Sequence, residues 1–290
     1  MKRKGIILAG GHGTRLGPIT GAVSKQLMPV YDKPMIFYSV STLLLAGIRE
    51  IMIISKPNDL FYFKSLFGNG SNLGVEINYE IQERPKGIAE AFIIAEKFIN
   101  SSPSILILGD NFFHGNGLST SLKSISSRSS CATIFAYQVK DPHRYGIVEF
   151  DKDRKVLSIE EKPKYPKSKF AVTGIYFYDE TACDKAKSLT PSDRGELEIT
   201  ELNKLYLKES KLKVELFGRG MVWLDTGTPD SLHEASSYVR TIEHRQGLKI
   251  GSPEEIAWRM GFIGDSQLKK NAAKYIKSTY GKYLINLLDK

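Results

Sequence analysis

The sequence is short of cysteine and of long apolar runs, and both shortages narrow the class of protein. Its 290 residues include two cysteines, Cys131 and Cys183, which form no CxxC pair and lie beside no histidine. We therefore expect buried free thiols rather than a disulfide framework or a zinc site. No apolar stretch approaches the roughly 20 residues that span a bilayer. The run from Gly5 to Ala9 is too short for the apolar part of a signal peptide. These features predict a cytoplasmic protein that does not insert into a membrane.

A block of charge of one sign is also missing. The formal net charge is +9, from 41 Lys and Arg against 32 Asp and Glu, but the basic residues are scattered along the chain. A nucleic-acid-binding module would show a basic stripe interleaved with aromatic residues, or a known reading motif, and the sequence has neither. The excess of positive charge is consistent with a solvated basic surface, or with a protein that binds several phosphates of small substrates. We expect no nucleic-acid partner.

The first 110 residues alternate short β-branched runs with longer periodic segments, which is typical of strands separated by crossover helices. Such a series predicts an α/β fold with a Rossmann-like, doubly wound mixed sheet, whose ligands bind beyond the carboxyl ends of the strands. Strands are predicted at residues 5–9, 50–55, 76–82 and 104–108, and helices at residues 34–46, 59–67 and 88–99.

After Ser130 the pattern changes to longer strand-like runs, and beyond Pro229 it becomes helical nearly to the last residue. Strands are predicted at residues 132–139, 146–151, 156–160, 170–178, 214–217 and 222–224, and helices at residues 195–210, 230–246, 253–261, 266–277 and 279–288. No internal repeat or low-complexity linker separates the parts. We therefore expect one compact unit, residues 1–228, with a C-terminal helical appendage, residues 229–290.

The most informative motif follows the first predicted strand and reads Gly10-Gly11-His12-Gly13-Thr14-Arg15-Leu16. Three glycines allow backbone conformations in which successive N–H groups turn inward and bind phosphate oxygens. Arg15 adds a fixed positive charge. The loop is not a Walker motif, because it lacks Gly-Lys-Ser/Thr, and Leu16 stands where a dinucleotide-binding loop has its third glycine. An NAD-dependent oxidoreductase is therefore disfavoured.

A second motif reads Ser24-Lys25-Gln26-Leu27-Met28-Pro29 and places Lys25 ten residues after Arg15. Together the two motifs resemble the signature of the sugar nucleotidyltransferases, specifically the thymidylyltransferases that use glucose 1-phosphate. The resemblance covers essentially the whole chain, including residues 194–200. It implies transfer of a nucleotidyl group from dTTP to α-D-glucose 1-phosphate, which gives dTDP-glucose and pyrophosphate and feeds dTDP-sugar synthesis, such as that of dTDP-rhamnose.

Two aspartates follow predicted strands that lie far apart in the sequence. Asp110 comes after the fourth strand, and Asp225 follows the strand that ends in Trp223-Leu224. Mg²⁺ prefers oxygen ligands and is often held by one or two carboxylates together with substrate phosphates. Taken alone, each aspartate is as readily a turn former as a ligand. The resemblance assigns Asp110 and Asp225 to magnesium, the one expected cofactor.

The resemblance also divides the core into a nucleotide-binding part, residues 1–130, and a sugar-phosphate-binding part, residues 131–228. It assigns catalysis to Arg15 at the leaving pyrophosphate, Lys25 at the phosphates and Lys162 at the attacking sugar phosphate. The residues expected to bind the nucleotide are Gly10, Gly11, Gly13, Thr14, Arg15, Lys25, Gln26, Gln82, Gly87 and Asp110. Those expected to bind the sugar phosphate are Asn111, Tyr145, Gly146, Glu161, Lys162, Val172, Tyr176 and Trp223.

The base preference follows less directly from the residues. A Gln82 amide matches the donor and acceptor edge of a pyrimidine, and Gly87 lets the ring approach the backbone. Residues 83–86, however, read Glu-Arg-Pro-Lys where the thymidylyltransferases usually carry a Pro-Ser-Pro-Asp-like spacer. UTP or another sugar 1-phosphate therefore stays open as an alternative, as does a catalytically inactive nucleotide-sugar sensor.

The C-terminal helices lie outside the sheet series, and packing is their simplest role. The resemblance implies a homotetramer with a second nucleotide-binding site near a subunit interface, through which the end product of the pathway inhibits. The candidate residues for that regulatory site are Gly115, Glu255, Ile256 and Arg259. The histidines form no nucleophile or metal constellation, and His12, where the family often has Ser, has no assigned role.

Overall fold

A computed structural model describes residues 2–11 and 13–289. The strands are β1 (Lys4–Ala9), β2 (Pro29–Val30), β3 (Lys33–Pro34), β4 (Glu50–Ser55), β5 (Glu76–Ile81), β6 (Ser104–Leu108), β7 (Phe112–His114), β8 (Ala132–Gln138), β9 (Gly146–Phe150), β10 (Val156–Glu161), β11 (Phe170–Tyr178), β12 (Leu212–Phe217) and β13 (Val222–Leu224). The helices are α1 (Ile36–Leu45), α2 (Leu60–Phe67), α3 (Glu90–Ile94), α4 (Glu96–Ile99), α5 (Leu118–Ser126), α6 (Ala182–Lys187), α7 (Ile199–Lys208), α8 (Pro229–Gln246), α9 (Pro253–Arg259), α10 (Asp265–Ala273) and α11 (Thr279–Asn286). In these two stretches of chain, no helix is both long and apolar enough to cross a bilayer.

Nine strands form one mixed sheet, in which β6, β1, β4 and β5 are parallel neighbours in that order and β8 and β12 form a second parallel pair. The antiparallel strand β11 lies beside β6, and it also pairs with β8 and β9. The strand order therefore reverses between β1 and β6, because β4 lies on one side of β1 and β6 on the other. In an open α/β sheet the crevice at such a point is where ligands bind. The predicted fold class is confirmed.

Successive residues of the parallel strands enter different hydrophobic clusters, because neighbouring side chains of a strand point to opposite faces. Ile7 and Ile53 pack on the face covered by α1, α2, α5 and the C-terminal helices. Ile6 and Ile54 pack on the other face, against α3, α6 and α7. Both faces of the sheet are thus covered, which explains why these strands read as continuous apolar runs.

Several segments differ from the sequence prediction, and α5, α6, β2 and β3 were not expected at all. The helix expected over residues 88–99 is divided at Ala95 into α3 and α4. The helix expected from Gly195 begins at Ile199, because Leu197 bonds through its backbone to Lys86 and Ala89 instead of to a helical neighbour. The pairing of β7 with β13 was not predicted, since each strand is three residues long and the paired residues His114 and Val222 are 108 positions apart.

A buried ion cluster ties helix α8 to the β2–β3 turn. The Lys33 Nζ atom lies 2.9 Å from Glu243 Oε1, and the two side chains are 2% and 4% exposed. Glu243 also accepts hydrogen bonds from Lys249 Nζ at 2.6 Å and from the backbone N–H of Ile250 at 2.9 Å. Asp32 supplies a second carboxylate to Lys33. The cluster joins the C-terminal region to the segment that follows the second motif.

Replacing Glu243 by Ala should destabilise the fold by about 3 kcal/mol, because breaking a buried pair leaves the remaining charge only partly compensated. The free energy of unfolding in urea measures the loss. Glu234→Ala, on an exposed position of the same helix, is the matched control and should cost less than about 0.5 kcal/mol. Equal stabilities of the two variants would contradict the structural role of the cluster.

Candidate active site

The glycine loop and Asp110 lie at the point where the strand order reverses. The loop leaves β1 at Ala9, and Asp110 follows β6 after one residue. The N–H of Gly109 donates to Leu8 O at 2.9 Å, so the two strand ends stay paired up to the loop. Gly13 has a φ of 63°, a conformation that glycine adopts without strain. His12 lies outside the described residues.

Lys25 forms an ion pair with Asp110 across this crevice. Their side chains are 11% and 15% exposed, and the Lys25 Nζ atom contacts Asp110 Oδ2. Lys25 starts a short 3₁₀ helix, Lys25–Leu27, in which Gln26 is buried and accepts a hydrogen bond from Ser24 Oγ at 2.6 Å. A Cβ atom on Gly109 would lie 3.0 Å from Gln26 Cγ, so this glycine lets the helix pack closely over the strand end. The second motif thus meets the first aspartate.

Asn111 connects Asp110 to two other parts of the site. Its Nδ2 donates to Asp110 Oδ1 at 2.9 Å, and its Oδ1 accepts from the N–H of Gly174 at 3.1 Å and from Trp223 Nε1 at 2.6 Å. Asn111 is 4% exposed. Its amide is thereby engaged in holding the Asp110 carboxylate, β11 and β13 together, and its expected contact with the sugar phosphate stays a prediction.

Gln82, which is expected to bind the base, lies against the start of the glycine loop. Its side chain is 3% exposed, and its Nε2 donates to Glu90 Oε2 at 2.7 Å. A Cβ atom on Gly10 would lie 2.1 Å from Gln82 Oε1. Gly10 therefore has no room for a side chain, and the Gln82 amide lies directly over the start of the phosphate loop.

The segment with Gly87 is joined to the far half of the chain through backbone bonds. The N–H of Leu197 donates to Lys86 O at 2.7 Å, and the N–H of Ala89 donates to Leu197 O at 3.1 Å. Gly87 has a φ of 104°, and a Cβ atom there would lie 2.3 Å from Leu197 O. Only glycine fits at this position. Backbone hydrogen bonds hold the loop that is expected to bind the base against the segment before α7.

Glu161 and Lys162 lie at the end of β10, beside an open cleft of about 570 Å³ that Arg194 and Glu198 also line. Thr200 Oγ1 donates to Glu161 Oε2 at 2.7 Å, and a Cβ atom on Gly146 would lie 3.3 Å from the same oxygen. The Lys162 side chain is 48% exposed, with its Nζ 3.5 Å from Glu161 Oε1. The cleft therefore presents an oriented carboxylate next to an accessible ammonium group.

Arg194, which also lines this cleft, is held by Glu198 at 2.8 Å from its Nη2. Burial alone would lower the pKa of the Arg194 guanidinium, but the hydrogen bond to Glu198 and the nearby carboxylates together outweigh it and raise the pKa. Arg194 stays positive at every physiological pH. A second cation thus faces the same cleft as Lys162.

Tyr145 and Trp223 form an aromatic pair near Asp225. The rings of Tyr145 and Trp223 are 5.2 Å apart, and Trp223 is 7% exposed. Burial, followed by the nearby charge of Asp225, raises the pKa of Tyr145. The N–H of Lys162 donates to Tyr145 O at 3.0 Å, which connects this pair to the sugar cleft.

Asp225 lies near two arginines. Its Oδ2 is 3.6 Å from Arg144 Nη2. A Cβ atom on Gly227 would lie 3.0 Å from Arg15 Nη2, so Arg15 reaches from the glycine loop to the segment after β13. Thr226 Oγ1 donates to the backbone O of Asp110 at 2.6 Å, which fixes that segment against β6. Arg15 therefore lies close to Gly227, two residues after Asp225, although 212 positions separate Arg15 from Gly227 in the sequence.

Val172 and Tyr176, both expected to bind the sugar phosphate, are buried. Tyr176 is 4% exposed and Val172 9%. Burial raises the pKa of Tyr176, and the charges of Glu161 and Asp110 raise it further. Tyr176 therefore stays a neutral phenol. Its role in binding the sugar phosphate stays a prediction.

The donor set suits a metal ion that shares its coordination with a substrate. Within residues 2–11 and 13–289, no group of three or more His, Cys, Asp and Glu side chains could hold a metal ion by itself. Asp110 and Asp225 instead belong to neighbouring segments that Thr226 joins. Mg²⁺ keeps water and phosphate ligands and often uses only one or two carboxylates, so the two aspartates fit it.

The candidate regulatory residues lie at a different cavity, of about 400 Å³, which Gly115 and Ile256 line together with Tyr38. Glu255 and Arg259 pair with each other at 2.8 Å, and Tyr283 OH donates to Glu255. A Cβ atom on Gly115 would lie 2.5 Å from Met221 Sδ. The structure thus brings two of the four residues to one cavity and places the other two as an ion pair on α9.

Several polar residues of this region were not singled out from the sequence. Arg194 and Thr200 belonged to a stretch that carried the resemblance, but neither had a role until the structure placed them beside Glu161. Arg144 and Glu90 had no signal beyond their charge. Their partners Asp225 and Gln82 become neighbours only through the fold.

The nucleotidyl transferase family matches residues 4–241. The chain belongs to this family of enzymes. A curated relative named glucose-1-phosphate thymidylyltransferase, from Neisseria meningitidis serogroup A, is 54% identical to this chain over 99% of this chain and 100% of the relative. Another relative of the same name, from Mycolicibacterium smegmatis, is 56% identical over 99% of each chain.

Solved structures give the same result for the fold. A crystal structure from Bacillus anthracis, assigned to glucose-1-phosphate thymidylyltransferase and complexed with a sucrose, is 40% identical with a TM-score of 0.76, covering 82% of this chain and 95% of that one. A UDP-glucose pyrophosphorylase complexed with UDP-glucose has a TM-score of 0.74 at 24% identity, over 83% of this chain and 100% of that one. The second likeness concerns the fold alone.

Replacing Gly87 by Ala should lower kcat/KM for the nucleotide about 100-fold, because the Cβ atom would push the base loop off Leu197 and misplace it. Steady-state kinetics with varied nucleotide measures the effect. Gly47→Ala is the matched control: Gly47 has a similar φ of 84°, but nothing lies within 4 Å of its Cβ position. The control should lose about 1 to 2 kcal/mol of stability and keep its activity. Equal kinetics in both variants would show that the contact with Leu197 does not matter.

Proposed function

We propose that the protein is a glucose-1-phosphate thymidylyltransferase, which converts dTTP and α-D-glucose 1-phosphate to dTDP-glucose and pyrophosphate. Identity of 54% to 56% with curated relatives of that name, over essentially the whole chain, supports the substrates. The chemistry is supported by one observation in particular. The glycine loop, the Lys25–Asp110 pair and Arg15 beside the Asp225 segment converge at the carboxyl ends of β1 and β6.

The reaction needs little covalent help from the protein. An oxygen of the sugar phosphate, already anionic, attacks the α-phosphorus of dTTP, and the bond to the pyrophosphate leaving group breaks in line. No general base is required, so catalysis consists of positioning the reactants and neutralising charge. In this mechanism Lys162 binds the attacking phosphate, Lys25 neutralises the nucleotide phosphates, and Arg15 stabilises the charge that develops on the pyrophosphate.

The nucleotide and sugar sites divide along the two halves of the core. The backbone N–H groups of Gly10, Gly11, Gly13 and Thr14 bind phosphate oxygens, while Gln82 and Gly87 bind the base. Glu161, oriented by Thr200, accepts hydrogen bonds from sugar hydroxyls, and Tyr145 packs on the sugar ring. Asp110 and Asp225 would hold Mg²⁺. The ion, when bound, neutralises phosphate charge and orients the α-phosphate.

The finer organisation is part of the same proposal. Residues 1–130 bind the nucleotide, residues 131–228 bind the sugar phosphate, and residues 229–290 serve packing and assembly into a homotetramer. The cavity at Gly115 and Ile256 is the candidate site of feedback inhibition by a dTDP-sugar end product. Because its substrates are soluble metabolites, we place the enzyme in the cytoplasm.

Pyrophosphate release from dTTP and from UTP, each with glucose 1-phosphate and Mg²⁺, tests the proposed function. We expect dTTP to be the better substrate and a chelator such as EDTA to abolish turnover with either. Faster reaction with UTP would replace the thymidylyl assignment by a uridylyl one. Absence of pyrophosphate release with every sugar phosphate tried would indicate a nucleotide-sugar sensor.

Replacing Arg15 by Ala should lower kcat by about two to three orders of magnitude, the usual effect of losing one preorganised donor to a developing charge. Single-turnover kinetics isolates the chemical step. Arg49→Ala is a suitable control, because Arg49 lies over the ring of Phe262, at the opposite end of the parallel strands. Turnover near wild type in a folded Arg15→Ala protein would remove Arg15 from the mechanism.

A further inference from the structure

The amide of Gln82 can adopt two orientations, which present opposite hydrogen-bonding groups to a base. With Oε1 towards the base, it accepts from an N–H. With Nε2 there, it donates to a bare ring nitrogen. Thymine and uracil carry a proton on N3, whereas N3 of cytosine is an acceptor. The orientation of this one amide therefore decides which class of pyrimidine the pocket accepts.

Glu90 fixes that orientation. An ionised carboxylate only accepts hydrogen bonds, so the nitrogen of Gln82 has to face Glu90 Oε2, at 2.7 Å. The opposite orientation would place the amide oxygen against the carboxylate oxygen. Oε1 lies instead over Gly10, at the start of the loop that holds the nucleotide phosphates. Gln82 thus presents an acceptor on the side from which the nucleotide approaches.

The position of Glu90 is itself set by the fold. The N–H of the preceding residue, Ala89, donates to Leu197 O at 3.1 Å, and Glu90 Oε2 also accepts from the N–H of Lys86 at 3.3 Å. One carboxylate therefore contacts both Gln82 and the loop before Gly87. Because Gln82 is 3% exposed, little space is left for its amide to escape this partner.

We propose that Glu90 is a specificity-determining residue, which orients the Gln82 amide so that the site selects pyrimidine nucleotides with a protonated N3, thymine and uracil, over cytosine. Glu90 acts through Gln82 and does not touch the reacting atoms. The inference rests on the proposed function, since it concerns the base pocket of that reaction. It also separates two levels of selection: rejection of cytosine depends on Glu90, and the choice between thymine and uracil does not.

The test compares wild type with Glu90→Gln in kcat/KM for dTTP, dUTP and dCTP, with glucose 1-phosphate and Mg²⁺. A glutamine at position 90 can pair with either orientation of Gln82, so the preference for dTTP over dCTP should narrow about tenfold. The ratio of dTTP to dUTP should not change, because both bases present the same N3–H. Glu90→Ala, which removes the acceptor, should narrow the first ratio as well.

Glu96→Gln is the matched control. Glu96 lies on the next short helix, is 51% exposed, and pairs with Lys187. The Glu96→Gln substitution removes the same charge as Glu90→Gln and should leave the ratios of kcat/KM between the nucleotides unchanged. A parallel loss with dTTP and dCTP in both Glu90 variants, or an unchanged ratio in both, would overturn the proposal.

Binding of dTDP and dCDP, measured by calorimetry, separates this inference from the proposed function. If the wild-type protein binds dTDP in preference to dCDP and Glu90→Gln narrows the preference, the role of Glu90 holds even where no turnover is observed. If turnover with dTTP is normal but neither variant changes discrimination, the proposed function stands and the inference fails.

Discussion

The adjacency of the carboxyl ends of β1 and β6 is the constraint on which the rest of the site depends. Backbone hydrogen bonding holds these strand ends together up to Gly109, so the glycine loop and Asp110 emerge side by side. Phosphates bring several negative charges to one place, and only a site with preorganised donors and cations can hold them without large reorganisation. The remaining cations and carboxylates are arranged around this pair of strand ends.

The second half of the chain reaches the crevice through a few buried polar contacts. Asn111 bonds to β11 and to Trp223, Thr226 bonds to the backbone of Asp110, and Leu197 bonds to the loop before Gly87. Each contact joins residues that are between about 60 and 116 positions apart. These contacts are kept because a buried polar group without a hydrogen-bond partner would cost more free energy. The sugar cleft and the base loop are therefore parts of one connected structure.

The two proposals for the base pocket concern different levels of the same recognition. Gln82 was predicted from its motif, as a residue whose amide matches a pyrimidine. Glu90 enters only because its carboxylate restricts that amide to one orientation. Residues 83–86, which differ from the usual spacer, form the chain between these partners. Glu90 does not distinguish thymine from uracil. The unusual sequence of residues 83–86 therefore bears on the choice between those two bases, which Glu90 does not affect.

By itself, the sequence determined the class of fold, the positions of most strands and helices along the chain, and the two motifs, because periodicity and glycine spacing are local properties. It also placed Asp110 and Asp225 after strands. Only the tertiary structure decided which side chains meet: Lys25 with Asp110, Arg15 with the Asp225 segment, and Gln82 with Glu90. These pairings depend on strand order and on backbone bonds between distant segments. A single sequence carries no local record of such contacts, which is why Glu90 and Thr200 became visible only in the folded chain.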